Sequence, residues 1–291
     1  MIQVCGETAI SDKGRQKAPM TAIADLPAEG YCNHTVQCAV RNQKRMGVRI
    51  MQIIRCENYK EASLKAASII ASQVIVKPDC ILGLATGSTP LGTYANLAKW
   101  CDEGLVDFSH VTSFNLDEYM GLSPEHDQSY HYFMKHNLFD KINIDQTRTF
   151  VPDGLAKDPA TVGAAYDAHI AAEGGIDLQL LGIGRNGHIG FNEPASEFVK
   201  ATHLVTLKEN TRQANARFFA SIDEVPTQAI TMGMLSIMQA RKVLLMACGP
   251  DKMETLKAAV EGPVTPEVPA SILQLHKDLV VVYCERGQDE A

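Results

Sequence analysis

A chain of 291 residues is long enough for one large α/β domain or two smaller ones, and either would bury a sizeable core. Hydrophobic residues at 45% and charged residues at 21% are ordinary for a globular protein, and a net charge of −7 gives no general reason to expect nucleic acid as a partner. The eight cysteines contain no Cys-x-x-Cys pair, no apolar run approaches the roughly 18 residues of a membrane span, and no N-terminal stretch reads as a secretory signal, so a cytoplasmic protein with reduced thiols is expected.

Residues 1–50 lack a sustained helix or strand period and read as a poorly ordered extension. Their basic residues could suggest a targeting arm, but Glu7, Asp12, Asp25 and Glu29 argue against an acid-poor transit peptide. From Met51 to the end a single α/β domain is expected, beginning with a strand over 51–56. Tyr59 to Val76 reads as a helix whose Leu64, Ala67, Ile70 and Val74 share a face, stopped by Pro78.

A second apolar strand, 80–85, runs into Thr86, Gly87, Ser88, Thr89 and Pro90, with a helix from Leu91 to Trp100. Strand, Gly-Ser-Thr loop and helix N-terminus make either an anion cradle or a simple capped turn; the loop lacks the lysine of a P-loop. A third strand, 110–115, delivers Asp117 and Glu118 to the edge where open α/β sheets bind ligands, although an Asp-Glu pair alone is usually a solvated turn. His126, His131 and His136, spaced by five, scatter around a helix and are expected to be surface or packing residues.

After a helix over 159–172, the apolar run 177–181 ends in a segment holding Gly182, Gly184, Gly187 and Gly190 around Asn186, His188 and Glu193. Glycines let backbone approach a ligand, and a carboxylate near a histidine sets its tautomer and proton affinity, which suits acid-base chemistry. The bland alternative is a glycine-rich connection with an exposed histidine. A short strand, 203–207, then precedes a polar helix, 209–219, that carries Arg212 and Arg217. Such arginines are either solvated or a phosphate clamp. Pro226 opens a further apolar run; a buried strand over 242–247 leads to Lys252 at another helix start, and 271–275 and 279–284 are the last expected strands. The whole pattern predicts a doubly wound, mainly parallel sheet with helices on both faces.

The motifs at 84–90, 114–119, 182–194 and 210–212, in that order, resemble the glucosamine-6-phosphate deaminase family from Met51 to about Cys284. The resemblance implies conversion of glucosamine 6-phosphate to fructose 6-phosphate and ammonia, overall a hydrolysis of a C–N bond, without a metal or organic cofactor. It implies that Asp117 is the base serving C2 and C1, that His188 opens the ring with Glu193 as its carboxylate partner, and that Arg217, Lys252, Gly87, Ser88 and Thr89 hold the phosphate. Asn186 stands where some family members carry Asp, and is expected to orient the imidazole without adding charge.

Two rivals remain. A 6-phosphogluconolactonase would share the fold but would need no carbon acid-base group such as Asp117. A sugar-phosphate-sensing domain of a transcription regulator would need a helix-turn-helix, which residues 1–50 do not show. In allosterically activated members of the family, N-acetylglucosamine 6-phosphate is held by a basic pair; here His203 and Val205 stand in its place, and the residues after Cys284 add Glu285, Asp289 and Glu290. An unregulated monomer or low-order oligomer is therefore expected. The likeness of the segment starting at Met51 to a family N-terminus predicts that residues 1–50 are dispensable.

Overall fold

The structure is a computed structural model that describes residues 50–287. The extension expected over residues 1–50 lies outside the described residues except for Ile50, whose backbone opens the first strand. In chain order the elements are β1 (Ile50–Arg55), α1 (Tyr59–Val76), β2 (Ile81–Leu84), α2 (Leu91–Asp102), β3 (Thr112–Asn115), β4 (Asp117–Tyr119), α3 (Tyr130–Asn137), β5 (Thr149–Phe150), α4 (Pro159–Ala172), β6 (Leu178–Gly182), β7 (His203–Thr206), α5 (Glu209–Asn215), β8 (Gln228–Thr231), α6 (Met234–Gln239), β9 (Lys242–Cys248), α7 (Met253–Glu261) and β10 (Asp278–Cys284).

Seven strands form a parallel sheet in the order β1-β10-β9-β6-β2-β3-β5. The chain moves outward one way through β2, β3 and β5, then the other way through β6, β9 and β10. Because parallel crossovers are right-handed, reversing the direction of travel puts the connecting helices on opposite faces. The order reverses between β2 and β6, and the loops leaving those two strands border the crevice where doubly wound sheets bind ligands.

The inner strands are apolar runs buried along their length, as a sheet covered on both faces requires, while the edge strand β1 leaves Met51 and Ile53 exposed; Leu178, Leu180 and Leu181 of β6 and Val243, Leu244 and Leu245 of β9 are examples of the buried runs. Helix α1 is capped by Asn58, whose side chain accepts the Glu61 N–H at 2.9 Å. Its buried face is Ala62, Ala66, Ala67, Ile70, Ala71 and Val74, while Leu64, expected on that face, is exposed at 46%. Alanines allow the helix to lie close on β9 and β10, so small residues take the inner stripe that hydrophobicity alone would have given to leucine.

Two further expectations are corrected. The segment 271–275 is no strand: Pro269–Leu275 forms a 3-10 helix, begun by a proline without an N–H to offer a ladder and closed by Ser271, which exchanges hydrogen bonds with Thr265. The polar helix also stops early, at Asn215, and the chain continues as a 3-10 turn over Ala216–Phe218.

A second sheet, antiparallel in the order β4-β8-β7, stands at the end of β3 and was not anticipated. Leu116 alone separates β3 from β4. Its N–H donates to the Leu84 carbonyl of β2 at 3.2 Å and its carbonyl accepts the Met232 N–H, so one residue stitches the two sheets together. The small sheet has its own apolar cluster, Tyr119, Phe191, Leu207 and Ala229, apart from the main core.

Candidate active site

A cavity of about 460 Å³ opens at the reversal between β2 and β6. Thr86 to Thr89, Asp117, Asn186, His188, Arg217 and Lys252 all line it. Glu193 does not; it sits one layer behind, buried against Asn186.

Histidine 188 is held by the turn that follows β6. Gly184 donates to the His188 carbonyl at 2.9 Å and Gly187 to the Gly184 carbonyl at 3.0 Å, folding the loop back on itself. The imidazole then lies flat on Gly184, where an added Cβ would come within 2.1 Å of its Cε1, so glycine is required there by close approach. The Asn186 Oδ1 is 2.6 Å from His188 Nδ1, and Asn186 Nδ2 donates to Glu193 Oε2 at 2.7 Å. An amide oxygen only accepts, so Nδ1 carries the proton and Nε2 is left with its lone pair. Burial pushes the imidazole down to about 4, with Glu193 opposing and Lys252 reinforcing, so the ring is a neutral base at physiological pH. The direct partner of the imidazole is thus Asn186, with Glu193 acting through it from 3.8 Å.

Aspartate 117 begins β4, opposite Thr231 of β8, and its Oδ2 lies against Gly190, where an added Cβ would stand 3.3 Å away. The carboxyl is 5% exposed. Burial first, and then the neighbouring Glu118 carboxylate, hold it well above the usual carboxylate range, against the pull of the Phe191 N–H. A carboxylate strengthened in this way is a better acceptor for a carbon-bound proton. Glu118, which the alternative of a solvated Asp-Glu turn would expose, is 2% exposed and turned to the start of α3.

At the other end of the cavity lies the loop after β2. Gly87 takes φ +88°, which favours glycine, and among the described residues neither its N–H nor that of Thr89 meets a protein acceptor. The Gly92 N–H in the first turn of α2 is already taken by the Tyr59 hydroxyl at 2.8 Å, so the cradle is the loop backbone rather than the helix as a whole. Arg217 Nη2 donates to Ser88 Oγ at 3.0 Å, and its guanidinium lies 4.7 Å from the Phe218 ring centre. Lys252, at the start of α7, completes the group; burial lowers its pKa, Asp251 opposes, and Arg185 and Arg217 add to the lowering. Arg217 and Lys252 line the same cavity as this loop and lie close enough to influence each other, which is the local positive charge a phosphate dianion needs. Arg212 is not among them: it is spent on Glu209 and the carbonyls of Ile222 and Val225.

Sequence reasoning missed Tyr130 and left Arg185 without a role. Tyr130 lines the cavity from the first residue of α3, stacked near Phe191 and Tyr119. Arg185 lines it too, with Nε on Asp251 Oδ2 at 2.7 Å. His126, His131 and His136 are all exposed, as expected, the last stacked on Tyr132.

Residues 57–282 match the profile of a family described as glucosamine-6-phosphate isomerases/6-phosphogluconolactonase. The chain belongs to this family. Within it, a glucosamine-6-phosphate deaminase of Lachnoclostridium phytofermentans is 61% identical over 234 residues, covering 80% of this chain and 99% of that protein. The solved structure of a monomeric glucosamine-6-phosphate deaminase is 45% identical with a TM-score of 0.78, over 80% of this chain and 96% of the other. A 6-phosphogluconolactonase from Trypanosoma brucei superposes with a TM-score of 0.63 at 20% identity, covering 81% and 97% of the two chains, and shares the fold.

Proposed function

We propose that this chain is a glucosamine-6-phosphate deaminase, and the observation that carries the reading is one cavity lined by a buried carboxylate base, a neutral histidine and a positive cradle. The phosphate end of the sugar sits against Gly87, Ser88, Thr89, Arg217 and Lys252, which fixes the reacting carbons near Asp117. His188 Nε2 takes the proton of the anomeric hydroxyl and returns one to the ring oxygen, opening the sugar to its aldehyde. Asp117 then removes the proton from C2 and delivers it to C1, while a proton leaving the substrate ammonium ends on the C1 oxygen, giving a C1 alcohol and a protonated imine at C2. Water adds to that imine, its oxygen becomes the C2 ketone, and nitrogen leaves as ammonia. The net reaction consumes one water and cleaves a C–N bond, the sense in which the enzyme is a hydrolase.

Each step is a proton transfer or an addition of water, so the chemistry calls for no redox cofactor. All the groups named come from one chain, in keeping with a monomer or low-order oligomer acting in the cytoplasm. The test is to supply purified protein with glucosamine 6-phosphate and measure ammonia and fructose 6-phosphate, with 6-phosphogluconolactone in a parallel reaction. Lactone hydrolysis without ammonia release would overturn the reading. Asp117 favours the deaminase, because ester hydrolysis needs no acceptor for a carbon-bound proton.

A further inference from the structure

Glu118 follows Asp117 on β4, and successive strand residues point to opposite sides, so the two carboxylates leave the strand back to back. On its side Glu118 accepts three backbone N–H groups: Tyr119 at 2.8 Å and Tyr130 at 2.9 Å on Oε1, and His131 at 2.9 Å on Oε2. The last two are the first two N–H groups of α3, while the third, from Tyr132, goes to Ser129. The ring of Tyr130 lines the cavity beside Asp117 and packs on Tyr119 and Phe191.

A helix start whose second residue is exposed could have been capped by water or a hydroxyl at little cost. Instead the chain buries a second acid beside the first. No cation is among the groups acting on either, and burying charge without a counterion is expensive. The groups around Glu118 are Asp117 and Tyr119 on its own strand, Tyr130 and the exposed His131 on α3, uncharged Ile230 across the ladder and Gly154 against its Cγ.

We propose that Glu118 is a positioning residue of the reaction: its carboxylate seats Tyr130 in the cavity wall and places a fixed second negative charge behind Asp117. This rests on the deaminase reading above. The hydrogen bonds keep the group an acceptor, since a protonated oxygen would meet an N–H with another donor. Burial pushes Glu118 up to about 7, against its three N–H partners, so its charge is present on the alkaline side of neutrality and fades below it. With that charge goes part of what strengthens Asp117 as a base.

The experiment is kcat and KM for ammonia release across a pH series for the parent enzyme, Glu118→Gln and Glu118→Asp. Glu118→Gln keeps the shape but removes the charge and turns a donor towards the His131 N–H. We expect kcat about tenfold lower or less, a raised KM, and the acid limb of kcat moved to lower pH by roughly half a unit to one unit. Glu118→Asp keeps the charge but cannot span the helix start; it should hold the acid limb in place while raising KM. A Glu118→Gln enzyme that loses thermal stability yet keeps the parent acid limb and kcat to within about twofold would reduce Glu118 to a helix cap and overturn the proposal. If Glu118→Gln does not fold, unchanged kcat and KM in Glu118→Asp would overturn it equally. A parent enzyme that releases no ammonia would instead sink the functional reading itself.

Discussion

Asn186 joins His188 to Glu193: its amide oxygen is 2.6 Å from the imidazole Nδ1 and its amide nitrogen 2.7 Å from the carboxylate. Each end of the amide can do only one of these things, so the pair of bonds fixes both the amide orientation and the histidine tautomer. Replacing Asn186 with leucine should cost on the order of 10²-fold in kcat, because Nε2 is no longer kept free of its proton.

Asn186→Asp tests the same relationship through charge. A carboxylate on Nδ1 favours the imidazolium, so the His188 pKa should rise from its depressed value of about 4. The sign for stability follows. A histidine depressed below its ordinary value of 6.5 costs the fold stability as pH falls from 6.5 towards 4, and the variant should lose less across that window. Proton NMR of the imidazole, with thermal melts across the same range, reads both effects; an unchanged titration would remove Asn186 from the relay.

For Asp117→Asn, turnover should fall by on the order of 10²-fold or more with binding nearly intact, since the amide keeps the shape but takes no proton. Retention of more than about a tenth of the activity would mean that another group is the base. The same variant should be more stable than its parent. Asp117 is held above its ordinary value of 3.8, so ionising it costs the fold stability from pH 3.8 up through its raised pKa. The gain should be absent below that window and full above it, with Tm rising on the order of 2–4 °C for each kcal/mol relieved.

Arg217→Ala and Lys252→Ala should act chiefly on KM for the phosphorylated sugar, raising it by roughly 10–100-fold with a smaller change in kcat. Comparable turnover of unphosphorylated glucosamine by the parent would contradict a phosphate clamp. Lys252 is half-buried and desolvation lowers its pKa, so KM should climb at alkaline pH as the ammonium loses its proton. Lys252→Arg should flatten that climb, because a guanidinium stays charged.

Rate curves should be hyperbolic and unaffected by N-acetylglucosamine 6-phosphate. Val205 packs into the small apolar cluster and His203 Nδ1 lies 2.9 Å from the Ala201 carbonyl, so neither offers a fixed cation to an effector phosphate. A ligand without differential affinity for two states shifts nothing. Sigmoidal curves that straighten on adding the compound would show that an effector site exists elsewhere.

Much of the fold was legible because its strands are continuous apolar runs with glycine or proline at their ends, the signal of a sheet covered on both faces. β4 was not, since Asp117, Glu118 and Tyr119 carry no apolar alternation and are strand only through pairing with β8. That is tertiary context, which local sequence does not encode. The residues of the cavity were readable from motifs, and the family resemblance pointed to Asn186 as the group orienting the imidazole; what it did not give is that Glu193 reaches His188 through that amide, an order set by the turn at Gly187. Tyr130 escaped because nothing in its surroundings marks it, and tertiary contacts, the N–H it donates to Glu118 and its packing on Tyr119 and Phe191, bring it to the cavity.

The stitching at Leu116 has a mechanical meaning. The loop after β2 and Lys252 belong to the seven-stranded sheet, whereas Asp117 lies on the three-stranded one and Arg217 on the segment that joins its strands β7 and β8. A sugar phosphate bound across the cavity therefore works as a tie-rod between the two sheets, alongside the backbone link at Leu116 and the packing of α4 on β7 and β8. Amide exchange in β4, β7 and β8 should slow when a non-reacting sugar phosphate is bound, more than in β9 or β10. Inorganic phosphate, which touches the small sheet only through Arg217 on the β7–β8 connection, should slow those three strands less than the sugar phosphate does.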